Sequence, residues 1–222
     1  MWMNAAAVPT AAWQLSAAMR AASQKEHDAA ERSPFISDLL EGRLGRGAYL
    51  AYLVRMRTIY AALEESVRKH RHDPVIATFY DPALERLSAI DCDLDYWADG
   101  SSAPLDSPAA DSYRCRLKGL NHGVALLAHH YTRYLGDLSG GQAIGRSLDR
   151  VFNLGGAGLA FYDFPVRPKQ YKDEYRARLN SLTLEAGQVE MMLGEVKVAF
   201  AQNQAVLDEL SDQFAESSSR ER

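Results

Sequence analysis

The chain has almost no cysteine. Cys92 and Cys115 are the only two in 222 residues. There is no CxxC, no CxxCH and no paired framework, so disulfide scaffolds and redox dithiols are excluded and a reducing, cytoplasmic compartment fits best. Long apolar runs are missing too. No stretch approaches the roughly 18–20 apolar residues that cross a bilayer, and residues 1–12 lack the basic start and apolar middle of a secretory signal. An excess of cations is also missing. Lys and Arg total 25 against 29 Asp and Glu, a net charge of −4, so nothing calls for nucleic acid or an anionic membrane as partner and any basic site must be local. Several signatures are absent as well: no GxxxxGK[ST] or GxGxxG, no nucleophile elbow, and no His/Cys cluster with zinc spacing. The six histidines are His27, His70, His72, His122, His129 and His130. None follows a Glu by three positions, which removes the Glu-x-x-His pairs of di-iron bundles. A single histidine ligand, or none, is what remains.

Helical periodicity is abundant. Tyr49, Tyr52, Leu53, Met56, Tyr60, Leu63 and Val67 recur at steps of three and four, as do Val189, Met192, Leu193, Val196, Phe200, Leu207 and Leu210. Ser33-Pro34, Asp81-Pro82 and Ser107-Pro108 each set a capping side chain before a proline suited to the first turn, and Pro168 opens another helix. Gly42 and Gly45 mark a turn, Gly119 and Gly123 break a long helical stretch, and Gly155, Gly156 and Gly158 form a loop. No segment alternates with period two. These signals predict an all-α, single-domain chain of about eight helices: a flexible start over 1–9, a domain over 10–215 and a disordered tail over 216–222.

Within this pattern, His130-Tyr131-Thr132-Arg133-Tyr134-Leu135-Gly136-Asp137-Leu138-Ser139-Gly140-Gly141-Gln142 is exceptional. Each glycine weakens a helix by about 1 kcal/mol relative to alanine, so glycines kept here point to a kink or to backbone approaching another surface. Asp137 among them is a local cap, a solvated acid, or a carboxylate that orders water and moves protons in a glycine-walled cavity. His27 sits on a helix predicted over 10–32, seven residues after Arg20 and four before Glu31. That spacing sets a cation, an imidazole and a carboxylate on one face. His27 is either a surface histidine in a polar run or a metal ligand whose second nitrogen Glu31 supports. His129-His130 is a rival, read as one packed and one exposed side chain. Lys172 and Arg176, an i, i+4 basic pair, are a solvated face or a clamp for carboxylates.

Taken together, these residues resemble heme oxygenase. The glycine segment is similar to that family's distal-helix signature. Tyr60-Ala61-Ala62-Leu63-Glu64-Glu65, Asp93-Leu94-Asp95-Tyr96-Trp97 and the run from Lys172 to Leu182 resemble family segments in the same order. The resemblance spans residues 20–210. It implies an all-α fold with heme between a proximal and a kinked distal helix. It also implies O2-dependent opening of heme, both substrate and prosthetic group, to biliverdin, carbon monoxide and ferrous iron. His27 matches the proximal iron ligand and Glu31 the acid supporting it. Gly136 and Gly140, with Gly141 following, match the distal glycines. Asp137 matches the acid of the distal water network, with Tyr60 and Arg133 as members. Arg20, Tyr131, Lys172 and Arg176 match positions that contact the heme propionates, and Phe200 and Asn203 line or brace the pocket. Three basic residues at the propionates imply attack at the α-meso carbon. Electrons are expected from NADPH through a partner reductase or ferredoxin, since no flavin or nicotinamide motif is present.

Two departures stand out. Arg20 occupies a position where many relatives carry Lys, and the sequence lacks the apolar C-terminal anchor and Cys-Pro dipeptide of membrane-bound animal forms. A soluble, bacterial-type monomer is expected. A heme carrier of the same fold and a helical thiaminase-like enzyme are the alternatives.

Overall fold

A computed structural model describes residues 14–98 and 106–220. The expected flexible start over 1–9 lies outside the described residues. The described chain is helical without strands: α1 (Leu15–Ala22), α2 (Gln24–Glu31), α3 (Pro34–Leu40), α4 (Arg46–Lys69), α5 (Pro74–Ala77), α6 (Leu87–Ala98), α7 (Pro108–Gly119), α8 (Gly123–Gly136), α9 (Gln142–Phe152), α10 (Pro168–Ser181) and α11 (Ala186–Arg220). The backbone of α11 runs on to Arg220, past the predicted start of the tail at 216. Among the described residues, eleven helices stand where about eight were predicted, because one expected helix divides, the glycine helix is interrupted at Asp137–Gly141 and α5 is a single turn.

Local chemistry explains most boundaries. Asp81 and Ser107 accept hydrogen bonds from backbone N–H groups behind the prolines that follow them. Asp73 caps α5 in the same way, a signal overlooked in Asp73-Pro74. Ser33 is the exception: it makes no cap bond, and its hydroxyl is buried without a partner. Gly155, Gly156 and Gly158 adopt positive φ in the loop after α9, the region glycine enters without steric cost.

The helix predicted over 10–32 is two helices, and its first four residues lie outside the described part. The break falls at Ser23, which is buried and whose Oγ donates to Met19 O at 2.9 Å. A serine that satisfies itself on the carbonyl four residues back competes with the regular ladder and bends it. Arg20 and His27 therefore stand on separate helices, α1 and α2.

The α4 stripe is the core. All seven of its periodic residues are buried, each large one contributing about 1.5–3 kcal/mol by leaving water. Helix α4 packs against α6 and α7 on one side and against α8 and α11 on the other. Helix α11 also covers α2, so α2 and α8 share one wall.

Candidate active site

Between α8 and α9 the backbone changes pitch. Residues Asp137–Gly141 form one π-helical segment. Such segments are rare and cluster at functional sites. The kink predicted from the glycines is thus a local widening of the helix. It splits the glycines by direction. A Cβ built on Gly136 or Gly140 would meet no atom within 4 Å, so both border open space. Gly141 turns inward instead, where a Cβ would meet the Tyr162 ring at 3.5 Å and Asp137 Cβ at 3.6 Å. Its role in the fold is close packing.

Asp137 also points inward and is buried. The hydroxyl of Tyr60 donates to its Oδ2, and Arg133, one turn back, sets Nη2 3.5 Å from Oδ1. Arg133 is buried as well. Its Nε donates to Tyr60 Oη at 3.2 Å, its Nη1 to Asn203 Oδ1 at 2.6 Å, and its Nη2 to Met56 Sδ at 3.3 Å. Burial raises the Asp137 carboxyl above the ordinary carboxylate range, against the opposing pull of Arg133, Tyr60 and Arg86. Burial likewise pushes the Tyr60 phenol well up. The result is a buried acid, raised by that burial, with one oxygen on the Tyr60 hydroxyl and the other facing the Arg133 guanidinium. Met56, read from the sequence only as a core residue of the α4 stripe, joins the cluster through Arg133, and the charge of Arg86 acts on Asp137 with no signal for it in the sequence.

His27 lies across α11 from this network. Its side chain is 47 % exposed, with Nδ1 3.8 Å from Asp28 Oδ1. Its ring meets Phe200 edge-on at 5.8 Å. Phe200 and Asn203 are three residues apart on α11, so one strip of that helix touches His27 at one point and Arg133 less than a turn later. The side chain of Glu31 lies outside the described part.

The basic residues gather at a third edge. Lys172 Nζ donates to Ser139 Oγ at 2.9 Å, tying α10 to the π segment. Burial and the neighbouring Arg176 charge lower the Lys172 ammonium. Arg176 pairs with Asp173 at 3.1 Å. Tyr131 is raised by burial while the charges of Arg176 and Arg20 act on it in the opposite sense. Ser16 N donates to Asn180 Oδ1 at 3.0 Å and holds α1, with Arg20, against α10.

The rival histidines are both buried, correcting the expectation that one would be exposed. Helix α8 is enclosed over nearly its whole circumference, so it has no outer face at these positions. His129 Nε2 meets Glu195 Oε1 at 2.7 Å and its Nδ1 meets Tyr113 Oη at 3.2 Å. His130 Nδ1 meets Tyr175 Oη at 2.9 Å, and burial pushes its imidazole down to about 3. Both are consumed by internal partners. No group of three or more His, Cys, Asp or Glu able to hold a metal ion occurs among the described residues, and none of their helices is long and apolar enough to cross a membrane.

Residues 13–209 match the family described as Heme oxygenase. Heme oxygenase 1 of Rattus norvegicus is 36 % identical over 205 residues, covering 88 % of this chain and 71 % of that protein. Heme oxygenase of Rhodella violacea is 31 % identical, covering 90 % and 88 %. Among solved structures, heme oxygenase from Leptospira interrogans superposes with a TM-score of 0.82 at 33 % identity, covering 89 % of this chain and all of that one. Heme oxygenase-1 from the cyanobacterium Synechocystis, solved in complex with heme, gives 0.85 at 30 % identity, covering 93 % and 96 %.

Proposed function

The chain belongs to the heme oxygenase family, an oxidoreductase family, and on that premise we propose that it opens heme at the α-meso carbon to biliverdin, with His27 holding the iron and Asp137 managing protons. One observation carries the reading. A buried carboxyl, raised by that burial and held by Tyr60 and Arg133, lies behind a helix face left open at Gly136 and Gly140. The residues fit a heme. The two glycines leave a cradle that any side chain would fill, His27 offers an imidazole beside Phe200, and Arg20, Tyr131, Lys172 and Arg176 cluster where carboxylates would be caught.

A bound heme supplies the iron at which O2 is reduced and the ring that is opened. The protein supplies everything else. Neutral His27 ligates from the α2 side, with Glu31 as its supporting acid. The glycine backbone leaves room for O2 and excludes bulk above it. Asp137, its carboxyl raised by burial, orders water and donates the proton that steers oxidation to the ring. Tyr60 and Arg133 hold that carboxyl in one rotamer, and Asn203 holds Arg133. Arg20, Lys172 and Arg176 grip the propionates and so fix heme rotation and the carbon attacked. To do so Lys172 exchanges Ser139 for a propionate. Electrons come from NADPH through a reductase or ferredoxin.

The test is direct. Hemin added to the purified protein should give a histidine-ligated Soret band. Supplying a reductant with O2 should then convert that band to biliverdin. A stable Soret band under turnover conditions means a carrier, and no Soret band removes heme from the account. In His27→Ala the histidine-ligated spectrum should disappear; its persistence would move the ligand elsewhere.

A further inference from the structure

The segment Asp93-Leu94-Asp95-Tyr96-Trp97 lies outside the site, yet its side chains hold one short stretch of backbone. Asp93, buried on α6, accepts from Ala160 N and Phe161 N at 2.8 Å each. Trp97 Nε1 donates to Gly158 O at 2.7 Å. Arg86, immediately before α6 and buried, donates from Nη1 to Asp163 O at 2.7 Å. Residues 158–163 are thus fastened to α6 and its start at both ends of the turn. Phe161 and Tyr162 are buried as well, so packing anchors the same turn.

The π segment leans on this fastened turn. A Cβ on Gly141 would meet the Tyr162 ring at 3.5 Å and one on Gly145 would meet it at 3.0 Å, so both glycines let the helix backbone seat against that ring. Gln142, between them, supplies a polar tie. Its Nε2 donates to Tyr162 O at 2.8 Å and stands 3.5 Å from Asp137 O, back across the wide turn. One amide group therefore touches both the fastened turn and the main chain of the residue whose carboxyl the site depends on. On the other side Lys172 holds Ser139, but that bond is given up when Lys172 turns to a propionate. The tie through Gln142 has no such competing duty.

We propose that Gln142 is a positioning residue of the heme site: by joining the π segment to Tyr162 O it fixes where the Asp137 carboxyl and the Gly140 backbone stand relative to the heme. The proposal rests on the heme reading above. Gln142 touches none of the reacting atoms and acts through Asp137. Tyr60 and Arg133 settle the rotamer of that carboxyl, whereas Gln142 settles the backbone from which it hangs. Both are needed, because a proton donor in the right rotamer on a displaced main chain is still misplaced. A displacement of about 1 Å costs up to about a hundredfold in rate. The Asp93 segment enters the same account at one remove, since it makes the turn that Gln142 grips a fixed point.

The experiment uses Gln142→Met, which keeps the reach of the side chain and removes the donor. Gln142 is half-buried, so the fold should accept the change. In hemin-free protein, amide hydrogen exchange read by mass spectrometry should quicken in peptides covering 137–142 and stay as it was over α4 and α6. In hemin-loaded protein, with the Soret band recorded first, biliverdin formation should fall about tenfold, a fraction of the loss that a full displacement brings. Oxidation of an added phenol should rise. Placed on Asp137→Ala, the same substitution should cause no further fall, because the carboxyl through which it acts is gone. Unchanged exchange over 137–142, an unchanged biliverdin rate, or an equal fall in both backgrounds would overturn the positioning role while leaving the heme reading intact. A missing Soret band in the unmutated protein would overturn both.

Discussion

Helix α8 carries two buried acid clusters that are alike in composition and opposite in behaviour. At one end Asp137 meets a tyrosine and an arginine, Tyr60 and Arg133. About two turns earlier, His129 joins Glu195, which meets Arg116 through two nitrogens, with Tyr113 behind. Burial raises both acids, but at Glu195 the hydrogen bonds from His129 and Arg116 outweigh it and hold the carboxyl at about 2. At Asp137 burial wins and the carboxyl is raised. The difference lies in geometry. Arg116 grips Glu195 as a fork, whereas Arg133 spends three of its donors on Tyr60, Asn203 and Met56 and reaches Asp137 only at 3.5 Å. Burial lowers the His129 imidazole against the pull of Glu195, and its two ring nitrogens meet Glu195 and Tyr113. One cluster fastens α7, α8 and α11 with a fixed charge. The other holds a carboxyl raised by burial behind the open face at Gly136 and Gly140.

The contrast can be broken most forcefully at Asp137. Asp137→Ala should still bind hemin, yet biliverdin formation should fall about a hundredfold or more, the usual contribution of a placed proton donor. Peroxidase-like oxidation of an added phenol should rise. Full biliverdin yield would sink the proton role. Glu195→Ala should do the reverse, lowering unfolding free energy by about 2–3 kcal/mol in urea titration because Arg116 and His129 lose their acceptor. Its hemin-dependent turnover should survive.

The pH dependence sharpens the same point. Glu195 has a depressed folded value, so its stabilisation is complete above the ordinary 4.5 and is lost as pH falls from there toward about 2. Glu195→Gln should flatten that part of the thermal-unfolding profile. Asp137 is raised above 3.8, so its contribution is present at low pH and lost as pH climbs through the raised value. Asp137→Asn should flatten the profile on that side instead, and a common effect of both variants on one limb would contradict the assignment. The smallest effect is expected at Gly136→Ala. The new Cβ meets nothing, so the hemin-free protein should gain up to about 1 kcal/mol in stability while hemin titration shows weaker binding. Unchanged hemin affinity would mean that the open face is not the heme face.

Much of this was legible in the sequence. The α4 stripe from Tyr49 to Val67 could be read because burial on one side of a helix imposes its period. Gly136 and Asp137 could be read because glycine inside a helix is costly enough to need a reason. The break at Ser23 could not be read, since a serine mid-helix signals nothing until its hydroxyl is seen on Met19 O. The pairing of His129 with Glu195, 66 residues away, is fixed by tertiary packing alone. Arg86 reaches the site cluster by the same route, and the inward turn of Gly141 follows from a change of pitch that no local propensity announces.

That change of pitch also sets a rule for the length of the chain. The wide turn over Asp137–Gly141 accommodates one more residue than an ordinary turn would. Deleting one residue there lets the turn close into plain α geometry and leaves the following helix in nearly its present orientation, because the wide turn holds the extra residue. Gly145, which lies against the Tyr162 ring where a Cβ would come to 3.0 Å, would keep its place. The segment is therefore where a one-residue change of length is absorbed locally. The same deletion inside α9 would turn every later residue of that helix by about 100°.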